Sequence, residues 1–157
     1  MDRIPITKEG YDRLKDELKQ LVTVERPSIQ RQIAEAREHG DLKENAEYHA
    51  AKEKQSFLEG RIQELNAKIP LMQVVDPKTN KSKTISFGAT VSMENLDTGE
   101  TSTYQVVGPD EADLQSGKIS FLSPIAKALI GKQEGDEVTI RVPKGDIQVE
   151  ITEVAYL

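Results

Sequence analysis

The stretch Tyr48-His49-Ala50-Ala51-Lys52-Glu53-Lys54-Gln55-Ser56-Phe57-Leu58-Glu59-Gly60-Arg61-Ile62-Gln63-Glu64-Leu65-Asn66-Ala67-Lys68-Ile69 sets the fold of the first half of the chain. Within it Tyr48, Ala51, Gln55, Leu58, Ile62, Leu65 and Ile69 recur at alternating steps of three and four residues. That spacing is an a/d seam with one polar member, Gln55, and it predicts a long helix that buries one stripe against a partner helix. A partner precedes it. Tyr11, Leu14, Leu18, Val22, Ile29, Ile33 and Ala36 form a less regular stripe of the same kind. Two such stripes joined by a short polar segment predict an antiparallel helical hairpin.

The register follows from arithmetic. Facing residues in an antiparallel pair have numbers of constant sum. Ala36 with Tyr48, Ile33 with Ala51, Ile29 with Gln55 and Val22 with Ile62 each give 84, while Leu18 with Leu65 and Leu14 with Ile69 give 83. The turn therefore centres on residue 42. Arms of about 30 residues rising ~1.5 Å each make a projection of roughly 45 Å. Pro27 interrupts the first arm, because its ring opposes the carbonyl of Thr23, so a kink or restart is expected over residues 24–27. Thr7 is the expected N-cap of the first arm, and Pro70 marks the end of the second.

Composition changes near residue 75. Residues 76–157 hold seven of the ten glycines and most of the Val and Thr, which favours strands there and helices before it. Short apolar or alternating runs fall at 73–76, 84–87, 90–94, 102–107, 118–122, 137–142 and 147–154, separated by turn signals such as Asp97-Thr98-Gly99 and Lys144-Gly145-Asp146. Ser123-Pro124 opens a short helical pattern that ends at Gly131. The expected fold is α+β: a helical hairpin over 1–75 and a small mixed sheet with one short helix over 76–157.

Several functional classes are excluded by composition. The chain of 157 residues has no cysteine, so it has no disulfide framework, thiolate zinc site, iron–sulfur centre or Cys nucleophile. Its formal net charge of −6 lacks the basic footprint of a general duplex-DNA binder. The charge is uneven. Residues 1–75 carry 13 basic and 14 acidic side chains (net −1), and residues 76–157 carry 8 and 13 (net −5), so an anionic partner is better tolerated by the hairpin. The longest run without a charged residue, 84–93, is far short of the ~20 apolar residues a spanning helix needs. With no secretory leader pattern, the expected location is the cytoplasm. No nucleophile elbow, phosphate loop or dinucleotide fingerprint is present.

The hairpin tip holds the densest carboxylate cluster: Glu35, Glu38, Asp41, Glu44 and Glu47. Asp41 and Glu44, three apart, admit two readings. They suit a capping-box-like start to the second arm. They equally suit a hard divalent cation or the orientation of a water. His39 and His49 flank the tip, but their spacing matches no zinc ligand pattern. Arg37, Lys43, Lys52 and Lys54 are interleaved with the acids, a pattern that reads mainly as a solvated face with i,i+4 pairs and secondarily as phosphate contacts.

The segment Ala34-Glu35-Ala36-Arg37-Glu38-His39-Gly40-Asp41-Leu42-Lys43-Glu44-Asn45-Ala46-Glu47-Tyr48-His49-Ala50-Ala51-Lys52-Glu53 closely resembles the tip of the bacterial Gre transcript-cleavage factors, a transcription elongation factor family, in its GreA type. Phe87-Gly88-Ala89-Thr90-Val91 and Ser123-Pro124-Ile125-Ala126-Lys127-Ala128-Leu129-Ile130-Gly131-Lys132 are similar to its second-domain signatures. The resemblance runs essentially end to end. It implies a monomeric, non-enzymatic factor that binds RNA polymerase and inserts a coiled-coil finger into the secondary channel, beside an FKBP-like second domain that docks outside. Asp41 and Glu44 match the family's acidic tip pair. They would help hold the polymerase's second Mg2+ and position the water that cleaves a backtracked transcript at its extruded 3′ end. Arg37, Lys43 and Lys52 are then the candidates for RNA or polymerase contact at the tip, and Ser123 and Pro124 in the second domain. Three alternatives stand beside this: a Gre-fold inhibitor that occupies the channel without promoting cleavage, a prolyl isomerase, and a plain coiled-coil adaptor. Retention of Asp41 and Glu44 weighs against the first, and the scarcity of aromatic side chains against the second.

Overall fold

The computed structural model describes residues 3–40 and 45–157. They form two compact units. One is Tyr11–Met72; the other joins the stretch ending at Gly10 to Gln73–Leu157.

Helix α1 (Lys8–Gln20), which enters the first unit at Tyr11, runs through a π turn (Leu21–Glu25) into α2 (Arg26–Arg37), and α3 (Ala46–Lys68) returns antiparallel to them. The expected seam forms. Leu14, Ile33, Ala36, Ala51, Leu58, Ile62 and Leu65 are buried, and Tyr11, Leu18, Ile29, Tyr48, Gln55 and Ile69 are half-buried. Ion pairs clamp its flanks. Arg26 reaches Glu59 with two bonds of 2.8 Å, and Arg61 reaches Glu17 at 2.5 and 2.9 Å. The Glu17 carboxylate, followed by Glu64, raises the Arg61 guanidinium above its ordinary range. Lys68, then Arg61, holds the Glu64 carboxyl below its ordinary range.

Pro27 disturbs the first arm as anticipated, and the form of the disturbance corrects one seam position. Arg26 N–H donates to Leu21 O, five residues back, and Thr23 Oγ1 donates to Lys19 O at 2.7 Å. A π turn holds one residue more than an α turn, so everything before it is rotated by about 100° relative to a continuous helix. Val22 consequently leaves the seam and is 36% exposed, while Leu21 is half-buried. With Leu21 in place of Val22, pairs on the N-terminal side of the turn run one residue lower than those beyond it, as a single inserted residue requires. Thr7 caps α1 by accepting from Gly10 N–H at 3.1 Å. The second arm ends where Pro70 enters a 3-10 turn, Ile69–Leu71.

The second unit contains a two-stranded sheet of β1 (Ile4–Thr7) and β2 (Met72–Val75), whose first residue, Met72, belongs to the hairpin unit, and a five-stranded mixed sheet. The latter is built from β3 (Thr90–Asn95), β4 (Thr101–Val107), β5 (Lys118–Ser120), β6 (Glu137–Val142) and β7 (Gly145–Ala155) in the order β5-β4-β3-β7-β6. Only β4 and β5 run parallel; the other neighbours are antiparallel. Alternation along β3 and β6 sends Val91, Met93, Val138 and Ile140 to one face, where Ile119, Val106, Val149 and Ile151 join them under α4 (Pro124–Leu129) through Ala126 and Leu129. The run 84–87 is not a strand. Its carbonyl and amide groups are used singly, by Ile85 N–H to Lys132 O and Gly131 N–H to Ile85 O, both 2.8 Å, and Thr84 makes one bridge to Gln133.

Two buried polar side chains, Glu111 and Thr7, lie inside this unit. Glu111, 7% exposed, sits in the connection from β4 to β5. Its Oε1 accepts from Thr7 N–H at 3.1 Å and from the Thr7 hydroxyl, and its Oε2 accepts from Gly108 N–H at 2.9 Å. Thr7, itself 8% exposed, is thereby tied both to the start of α1 and to this connection.

Candidate functional site

The hairpin tip is braced from both sides. On the first side, Glu38 N–H donates to Glu35 O and His39 N–H to Ala36 O, both at 3.2 Å, and Gly40 takes φ +110°, a conformation that glycine adopts without strain. On the second side, Asn45 is extended (φ −86°, ψ 98°) and caps α3: its Oδ1 accepts from Tyr48 N–H at 3.0 Å. The same side chain donates through Nδ2 to Ala36 O at 2.6 Å, tying the end of α2 to the start of α3. The Arg37 guanidinium lies 5.9 Å from the centre of the Tyr48 ring, and Tyr48 meets His49 edge-on at 5.7 Å. Below these contacts a hollow of about 280 Å³ is lined by Glu35, Ala36, His39, Glu47, Ala50 and Lys54, among others.

Asp41, Lys43 and Glu44 lie outside the described residues, between these two braces. The capping-box reading of Asp41 and Glu44 is nevertheless corrected. Helix α3 begins at Ala46, its N-cap is Asn45, and the Asn45 side chain accepts from one first-turn amide, that of Tyr48. The signal for Asn45 was present in the sequence, since Asn is among the strongest N-caps and stands three residues before the first seam residue, Tyr48. The Asp-x-x-Glu spacing just ahead of it competed for the same role.

The remaining candidates are dispersed. Arg37 and Lys52 are exposed on the two arms, with Lys52 Nζ donating to Gln55 Oε1 at 3.1 Å. Ser123 and Pro124 are in the second unit. Ser123 Oγ accepts from Ala126 N–H at 3.2 Å as the N-cap of α4, and Pro124 follows at the first helical position. Both residues border an apolar groove of about 440 Å³ with Leu114, Ile119, Ile125 and Val142. Among the described residues no three His, Asp or Glu side chains come together as a metal site. No described helix is long and apolar enough to cross a membrane.

Comparison with known proteins agrees with this layout. Residues 4–74 match the family described as transcription elongation factor, N-terminal, and residues 79–156 match transcription elongation factor, GreA/GreB, C-term. The chain belongs to the GreA/GreB family of transcription elongation factors. Its relatives include the transcription elongation factor GreA of Thermodesulfovibrio yellowstonii, 54% identical over 99% of this chain and 98% of that protein. That of Alkalilimnicola ehrlichii is 56% identical over 99% of both chains. Among solved structures, GreA factor homolog 1 of Thermus thermophilus is 29% identical over 97% of this chain and 98% of its own, with a TM-score of 0.43. The family's two matched regions separate at residues 75–78, next to β2, whose last residue is Val75.

Proposed function

We propose that this family member binds RNA polymerase, places its hairpin tip in the secondary channel and stimulates the polymerase's own hydrolysis of backtracked transcripts. The protein acts as a helper and has no nuclease activity of its own. The observation that carries this reading is the cap at Asn45. Asn45 is the N-cap of α3 and accepts from Tyr48 N–H, so neither Asp41 nor Glu44 is required at that capping position. Two carboxylates at the end of a long finger are then explained by what they meet there.

Their oxygens fit Mg2+, which is a hard cation that keeps several waters and is bound through one or two carboxylates in addition to substrate phosphates. Held jointly with the polymerase, the ion would supply Lewis acidity to the attacking water and the leaving oxygen. Asp41 and Glu44 would raise its occupancy and orient the water by accepting its hydrogen bonds. Asn45, Gly40 and the Arg37–Tyr48 contact brace the described residues on either side of this pair in the chain. Arg37, Lys43 and Lys52 would offset the repulsion between the acidic tip and RNA. Ser123 and Pro124, at the start of α4, would take part in docking the second unit on the polymerase.

The inhibitor reading is not favoured, since relatives above half identity over the whole chain are named elongation factors. The test is RNA cleavage in a stalled, backtracked polymerase complex, with Asp41→Asn and Glu44→Gln compared with the native chain. Both substitutions keep size and remove charge. Each should nearly abolish stimulation while leaving polymerase binding and melting temperature unchanged, and raised Mg2+ should restore part of the activity. Loss of activity in step with melting, with no rescue by Mg2+, would sink the metal role.

A further inference from the structure

We propose that the middle of the hairpin is a self-association surface, through which two copies of this chain pair about a twofold axis. Among the described residues of the hairpin unit, the exposed large apolar side chains are Val22, Val24 and Phe57. The seam does not use them. Val24 lies in the π turn, and Phe57 directly precedes the buried seam residue Leu58, so helix geometry turns it about 100° away from the partner arm. Val24, 50% exposed, and Phe57, 73% exposed, border one hollow of about 490 Å³, whose lining continues inward to half-buried Leu21 and buried Leu58. Single exposed apolar side chains are ordinary on a surface; apolar side chains gathered around a hollow with a polar rim mark a place where another molecule is received.

The charges on the rim say what that molecule is. Three charged residues border the hollow: Glu25, Lys54 and Arg61. Arg61 is already committed to Glu17 and Glu64. Glu25 and Lys54 are exposed, and among the described residues neither side chain has an oppositely charged partner. The free charge on the rim is therefore one carboxylate and one ammonium. A nucleic-acid backbone calls for an excess of cations, and the rim has none. A twofold pair calls for a patch complementary to itself. With Glu25 of each copy facing Lys54 of the other, both free charges are matched, and each Phe57 leaves water for the hollow of the other copy. The apolar contact supplies the affinity, while exposed ion pairs add little strength and chiefly fix register. A surface confined to the middle of a helical hairpin is at the small end of specific interfaces, so the pair is weak and reversible. The free chain is then not a monomer at every concentration.

Sedimentation equilibrium of the full chain over a concentration series tests this. The native mass should rise reversibly from 17.5 kDa toward twice that value. Phe57→Ser should raise the dissociation constant by at least about tenfold, the size of an aromatic hot spot. Glu25→Lys and Lys54→Glu should each weaken the pair by about fivefold or more, because like charges then meet at both ends of it. An equimolar mixture of these two variants should pair about as well as the native chain, since one copy then presents two cations and the other two carboxylates. The mixture contains the same substituted chains as the separate samples, so its recovery cannot come from a change in their folding. A native mass that stays at 17.5 kDa throughout, pairing that survives Phe57→Ser unchanged, or a mixture no tighter than its components would each overturn the proposal. A further arm rests on the proposed function. If the native chain stays monomeric while Phe57→Ser loses cleavage stimulation, the hollow receives the polymerase and not a second copy. A native chain that stimulated no cleavage would reject that function and leave the sedimentation result standing.

Discussion

Asn45 performs two tasks with one amide, and the donor can be removed while the cap is kept. Its oxygen caps α3 at Tyr48 N–H, and its nitrogen donates to Ala36 O across the tip. Replacing it by alanine removes both, and loss of an Asn cap costs about 0.5–2 kcal/mol. Replacing it by aspartate keeps the cap acceptor but loses the donor to Ala36. We therefore expect Asn45→Ala to lower hairpin stability by about 1–2 kcal/mol in denaturant unfolding, and Asn45→Asp by less. Both should reduce cleavage stimulation, because Asn45 directly follows Glu44 in the chain and ties the end of α2 to the start of α3. Full activity in Asn45→Ala would show that tip rigidity is irrelevant. The tip motif as a whole was legible in sequence. What was not legible was which polar residue caps, since Asp41, Glu44 and Asn45 all have suitable chemistry and only the chain path selects among them.

At the level of the element, periodicity carried most of the information and failed at one position. The seam of α3 was read directly from spacing, because an uninterrupted helix turns by a constant angle per residue. The first arm is not uninterrupted. Pro27 signals a disturbance, but a kink, a break and a π turn all accommodate its missing N–H and its ring, and each leaves the upstream stripe at a different rotation. The choice of a π turn moves Val22 outward and Leu21 inward. Truncation discriminates between the two registers. Ile62→Ala, at a residue 3% exposed, should cost about 2–5 kcal/mol. Val22→Ala should stay within about 0.5 kcal/mol, as expected of a surface site. The ideal heptad would have made both large. Comparable losses at the two positions in chemical denaturation would restore Val22 to the seam. A π turn ahead of Pro27 also gives the finger a local irregularity midway along its first arm, beside a hollow of about 490 Å³ bordered by Leu21, Val24, Phe57 and Leu58.

At the scale of the whole molecule, composition divides the chain near residue 75, whereas the packing places the stretch ending at Gly10 with the second unit. Propensity separates helices from strands by local preference, and it has no access to a four-residue strand that pairs with β2. Glu111 was invisible for the same reason: its partners Thr7 and Gly108 are assembled by topology, and nothing near residue 111 in sequence announces a buried carboxylate. This has a consequence for dissection. A fragment of residues 76–157 lacks both strands of the small sheet. It loses Ile6, which is 1% exposed in the whole chain, and burying such a side chain contributes about 1.5–3 kcal/mol. It also leaves the Glu111 carboxylate with only the Gly108 donor, and an unsatisfied buried polar group costs about 1–3 kcal/mol. Solvent reaching the opened site offsets part of the second loss, so a net deficit of about 2 kcal/mol is a reasonable expectation, equivalent to roughly 30-fold in an opening equilibrium. Amide exchange at Val91 and Ile151, on paired central strands of the five-stranded sheet, reads that equilibrium directly. Both amides should exchange roughly 30-fold faster in the fragment than in the full chain. Protection equal to that in the full chain would mean that β1 is a passive addition and that the second unit stands complete from residue 76 onward.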